Sequence, residues 1–154
     1  MSEQHDQQAE QRKRQEQLMA GRAALFSRLV ARFGPDILAE VAQFTHDSAE
    51  HALRTADLPR RNLQGVLDAL WNHITWELDY EIVEQTEQRL ELRVTRCVHA
   101  DFFRARDAGE IGHAFYCAYD GGFCQGLNPA IRFTRTQTLM DGDECCDHTY
   151  ELDA

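Results

Sequence analysis

The chain has 154 residues, the length of one domain, and its 43% hydrophobic and 27% charged residues exclude collagen-like and wholly disordered chains. A net charge of −10 argues against nucleic acid or an anionic membrane surface as partner. No apolar run reaches the roughly 18–20 residues of a transmembrane helix, and the polar start MSEQHDQQAEQRKRQEQ has no secretory core, so a cytoplasmic, reducing location is expected.

Residues 1–17 hold six glutamines and no aliphatic side chain larger than Ala9 after Met1. They predict a flexible, frayed tail, helical at most, ahead of a single domain over 18–154. From Leu18 apolar residues recur at helical spacing through Leu25, Leu29 and Phe33, and Gly34-Pro35 stops the run. Pro35 suits the first turn of a second helix, which continues to Pro59. Asn62 is the cap of a short third helix bearing Leu63, Val66, Leu67 and Leu70.

At Ile74 the period falls to two. Trp76, Leu78, Tyr80 and Ile82 predict one half-buried strand, and Leu90, Leu92 and Val94 a second, joined by the polar hairpin Glu84 to Gln88. A helix is expected from about Ala108 to Tyr119, ended by Gly121-Gly122. Ile131 to Met140 reads as a strand, Asp141-Gly142 as its turn, and Cys145 to Leu152 as the returning strand. The fold class is therefore α+β: N-terminal helices, then an antiparallel sheet of about four strands with one inserted helix.

Generic motifs are absent: no Gly-rich phosphate loop, no GxSxG, no HExxH. Cys117 with Cys124, and Cys97 with His99, could ligate zinc, but they lack the two tight pairs of a structural site. No metal and no cofactor is expected. Cys146 and His148 stand at i and i+2 of a strand and share a face. An imidazole there lowers the thiol pKa and makes a nucleophile; the alternative is a core cysteine beside a satisfied histidine. Arg135, on the face of Ile131, Phe133 and Leu139, needs an anion, either Asp120, Asp147 or a ligand carboxylate. Asn128-Pro129 ends the preceding loop. Thr136 and Thr138 are β-formers, or hydroxyl donors to a cleft if their face is inward, in which case Arg135 drops out.

The stretch Cys117 to Tyr150 resembles the L-2-amino-thiazoline-4-carboxylic acid hydrolase family. The likeness rests on Cys117-x-x-Asp120, Asn128-Pro129, Arg135-Thr-x-Thr-Leu139 and Gly142-Asp143-x-x-Cys146-Asp147-His148. The Gly-Asp-x-x-Cys ending is also similar to 4-vinyl reductase-type small-molecule-binding domains, whose sensor versions can hold zinc. Here Arg135 and Thr138 occupy the ligand spacings, which favours an anionic ligand instead.

The first resemblance implies a hydrolase opening a small cyclic amidine or thiazoline carboxylate. Cys146 is then the nucleophile, with Cys117 second, His148 the proton shuttle and Asp120 or Asp147 the orienting acid. Arg135 anchors the substrate carboxylate, and Asn128, Thr136 and Thr138 donate hydrogen bonds. The second implies a non-catalytic binding module. The expected partners are a small anionic heterocycle and a second copy of the chain, through the apolar first helix.

Overall fold

The computed structural model describes the backbone of residues 2–154 and the side chains from residue 6 onward. Three helices lead: α1 (Ser2–Phe33), α2 (Ile37–Thr55) and α3 (Leu63–Ala69), followed by a 3-10 turn at Trp71–His73. Strands β1 (Leu78–Gln85) and β2 (Arg89–Cys97) come next. Then follow α4 (Val98–Arg104), α5 (Gly109–Gly112), a π-helical turn (His113–Cys117) and α6 (Tyr119–Leu127). Strand β3 (Arg132–Thr134), a 3-10 turn (Leu139–Asp141) and β4 (Cys146–Glu151) end the chain. The sheet is antiparallel in the order β1-β2-β4-β3, so the protein is α+β with helices inserted between its second and third strands. Among the described residues no helix is long and apolar enough to cross a membrane.

Local chemistry explains the helix ends. Gly34 adopts φ 91°, a left-handed conformation that a side chain resists, and its N–H closes α1 on the Val30 carbonyl at 2.8 Å. The Asn62 side chain accepts the Gly65 N–H at 3.1 Å, as its capping role requires. Arg61 then ties two helix ends together. Its guanidinium donates to the carbonyls of Ala56 and Leu53 after and within α2, and of Gly126 and Leu127 in α6, at 2.7 to 3.1 Å. The start of the chain, expected as a frayed tail that is helical at most, is continuous with α1. Helix α1 begins at Ser2, Arg12 lies over the Trp76 ring and Gln15 reaches Glu77.

Two further expectations fail for identifiable reasons. Gly121-Gly122 does not end a helix; both lie inside α6. A Cβ at Gly122 would collide with the His46 carbonyl, and one at Gly126 with the Glu50 carbonyl, so these glycines let α6 lie backbone-to-backbone against α2. Gly122→Ala should therefore destabilise the protein by about 2–3 kcal/mol, lowering the thermal midpoint by roughly 5–10 °C. Gly121→Ala meets only the His46 ring at 3.3 Å and should cost far less. Equal midpoints for the two variants would show that the helix contact is not tight.

The strand expected over Ile131 to Met140 stops at Thr134. Asp147 ends it by accepting the N–H groups of Thr136 at 2.8 Å and Gln137 at 2.6 Å, and the Thr136 hydroxyl. Those amides thus bond a carboxylate rather than a neighbouring strand, and the chain loops back to β4. On β4 the expected face holds. Cys146, His148 and Tyr150 are buried together, level with Val94, Leu92 and Leu90 of β2. The main core gathers Trp71, Phe123, Leu127 and Tyr150 around this face, and the Trp71 indole donates to the Tyr150 hydroxyl at 3.2 Å.

Candidate active site

A cavity of about 340 Å3 lies over the buried face of the sheet. Its apolar walls include Trp71, Ile74 and Phe115, and its polar lining includes Cys117, Asp120, Arg135, Cys146 and His148. Four elements converge to make it. The π-helical turn supplies Cys117, the first turn of α6 supplies Asp120, the loop after β3 supplies Arg135, and β4 supplies Cys146 and His148. This is a pocket of ligand-binding size, largely apolar with a few convergent polar groups.

Asp120 is the hub. Its Oδ2 accepts from Arg135 Nη1 at 2.5 Å and lies 3.3 Å from His148 Nε2. Burial alone would push its carboxyl up, but the His148 hydrogen bond and the Arg135 charge outweigh that and hold it below its ordinary value. Of the two carboxylates weighed as partners for Arg135, the structure selects Asp120; Asp147 faces the loop. Arg135 also reaches the Cys117 carbonyl at 3.4 Å, which fixes the plane of its fork. With Nε2 donating to Asp120, His148 leaves Nδ1 as an acceptor. That nitrogen is buried and has no hydrogen-bond partner, alone in this among the described side-chain atoms. Buried polar atoms are nearly always paired, so one without a partner, on a ring that lines the cavity, is a notable exception.

The thiols follow a different logic from the one expected. No hydrogen bond joins Cys146 to His148 among the described residues. Cys146 Sγ instead accepts the Leu139 N–H at 3.2 Å and lies 3.8 Å from the Thr138 hydroxyl. Burial pushes the Cys146 thiol up, and the Leu139 donor, Thr138 and the Arg135 charge offset this only in part. Cys117 is pushed up to about 12, again by burial. Neither is a standing thiolate. At Cys146 the Leu139 N–H donates to the sulfur while the thiol faces the Thr138 hydroxyl oxygen as an acceptor.

The remaining expected residues lie elsewhere. Thr138 is buried behind the two sulfurs, its hydroxyl accepting Met140 N–H at 3.1 Å and lying 4.0 Å from Cys117 Sγ. Thr136 is spent on Asp147. Asn128 sits at the far end of α6, donating to the Arg61 carbonyl at 2.8 Å and accepting Ala130 N–H at 3.0 Å. Neither Asn128 nor Thr136 is brought to the cavity, because each is consumed in shaping a loop. Of the possible zinc pairs, Cys117 and Cys124 part company, Cys124 buried in the α6 core and Cys117 lining the cavity, while Cys97 and His99 both line the cavity. Among the described residues, the grouping with ligand atoms within 4.8 Å of one another is His46, Asp47 and Glu50 on α2. Glu50 there pairs with Arg54, and Asp47 accepts from Gln43.

Sequence reasoning missed a second polar group on the same cavity, made by Glu77, His99 and Tyr116. His99 Nε2 lies 3.1 Å from Glu77 Oε2, and its ring stacks on Tyr116 with centroids 4.1 Å apart. Glu77 read as the polar side of an alternating strand, yet β1 begins one residue later, so the alternation does not apply to it. The Cys97-x-His99 spacing was the available signal.

Helices thus lie over an antiparallel sheet and enclose a cavity lined by a buried ion pair, an imidazole and thiols. The chain belongs to the L-2-amino-thiazoline-4-carboxylic acid hydrolase family, whose model matches residues 11–150, most of its length. No curated protein matches it significantly.

Proposed function

We propose that the protein hydrolyses a small cyclic amidine acid, 2-amino-thiazoline-4-carboxylate or a related heterocycle, by opening its ring. The observation that supports this reading is one cavity lined by Arg135, Asp120, His148 and Cys146, with Asp120 joining the guanidinium to the imidazole. The fork of Arg135 has donors beyond the one given to Asp120 and takes the substrate carboxylate. His148 accepts the Cys146 proton as the sulfur adds to the ring carbon bonded to nitrogen and sulfur. Collapse of the adduct breaks a ring C–N or C–S bond, and His148 returns the proton to the leaving atom. Water, deprotonated by the same imidazole, then displaces the cysteine sulfur. The sum is addition of one water molecule, with Cys146 restored.

Incubating the purified protein with 2-amino-thiazoline-4-carboxylate and following ring loss by absorbance and mass tests this directly. Ring opening is the expected result; tight binding without product would favour a non-catalytic binding module. The raised Cys146 thiol is the observation on that side. Exposed Leu18, Leu25 and Phe33 on α1, with Phe44 on α2, support pairing with a second copy.

A further inference from the structure

The cavity is longer than the chemistry at Cys146 requires. Along β2, Cys146 is level with Val94, whereas Cys97 is level with Leu78, the residue after Glu77. Those three residues of strand span about 10 Å. Ile74, Leu78 and Val94 also line the cavity, giving it apolar wall beside both polar groups.

At the far end Glu77 has His99 as its ion-pair partner. Among the described residues no lysine or arginine lies within ion-pair distance of it; its partners are His99 Nε2 at 3.1 Å and Gln15 Nε2 at 3.3 Å. His99 lines the cavity with its ring, and both of its nitrogens are engaged. Its Nδ1 faces Met19 Sδ at 3.4 Å, and its ring lies on Tyr116, whose hydroxyl is held by Arg22 at 3.0 Å. The imidazole therefore aims the carboxylate and does not act itself. Burial would push Glu77 up, but the hydrogen bond and charge of His99, with the Gln15 donor, outweigh it and keep the carboxyl below its ordinary value. Each oxygen has received one protein donor and keeps capacity for another.

We propose that Glu77, positioned by His99, binds a cationic nitrogen group of the ligand, so that the substrate is a ring acid extended by a basic tail. This rests on the ring-opening reading, which places the acid at Arg135 and the reacting carbon at Cys146. The apolar wall then takes the tail, and an ammonium or amidinium meets Glu77.

The test uses probes that do not depend on ring chemistry. Binding of phenethylammonium and of its neutral counterpart, phenethyl alcohol, is measured by calorimetry on the full chain and on Glu77→Gln, which keeps the shape and the His99 contact. The wild type should prefer the ammonium by about tenfold or more, and Glu77→Gln should lose that preference while binding the alcohol unchanged. An unaltered thermal midpoint shows that the variant is folded. No preference in the wild type, or the same preference in Glu77→Gln, overturns the proposal. A wild type that prefers the ammonium but opens no thiazoline ring upholds Glu77 and overturns only the ring-opening reading. One that opens the ring and shows no preference overturns Glu77's role alone.

Discussion

Replacing Cys146 with serine is expected to abolish ring opening while changing the unfolding free energy by no more than about 1–2 kcal/mol. The two effects separate because the sulfur is placed by its surroundings rather than placing them. Leu139 N–H donates to it and the Thr138 hydroxyl oxygen accepts from it, and a serine hydroxyl can keep both roles. Chemistry is less forgiving. A serine hydroxyl is a far weaker nucleophile than a thiol given the same base, and His148 has only Asp120 behind it. Turnover measured with 2-amino-thiazoline-4-carboxylate, beside thermal unfolding of the same sample, reads both. Cys117→Ser is the companion variant. Its thiol, pushed up to about 12, is the poorer nucleophile, and turnover should survive its removal. Full activity in Cys146→Ser would remove that sulfur from the mechanism and leave His148 acting on water.

The elements most legible in the sequence are those whose causes are local. Asn62 announces its helix because one side chain caps it, and the β4 face follows from strict alternation from Cys146 to Tyr150. What escaped reading depends on contacts distant in sequence. Gly121-Gly122 has the signature of a helix stop, and only the approach of α2 turns the second glycine into a packing device. Arg132 to Thr138 keeps a strand pattern that Asp147 interrupts from the opposite strand. The site divides the same way. Arg135 visibly required an anion, and Asp120 was one of two candidates, but the choice between them belongs to the placement of α6. Glu77 and His99 lie 22 residues apart on segments with no motif in common, so their pairing has no signature in the chain.

Asp120→Asn should be the most damaging single change, lowering stability by about 3–5 kcal/mol and eliminating turnover. Arg135 is only 12% exposed and depends on that carboxylate, so neutralising Asp120 strands a buried guanidinium that cannot shed its proton. It also leaves His148 facing an amide with one acceptor oxygen and no negative charge, so the imidazole is oriented less firmly and its charged form is no longer stabilised. The carboxyl itself predicts an acid limit. Because its folded pKa lies below the unfolded value of about 3.9, its contribution is present in full above that value and is lost as pH falls through the folded pKa. Unfolding midpoints of the wild type should therefore drop more steeply below about pH 4 than those of Asp120→Asn. The double variant Asp120→Leu with Arg135→Leu separates burial from catalysis. With both charges gone, most of the lost stability should return, since an apolar pair of this kind is often as stable as the ion pair, while activity should not. A double variant as unstable as Asp120→Asn would show that the cavity wall needs the ion pair for its shape. Turnover by the double variant would show that neither group serves the chemistry.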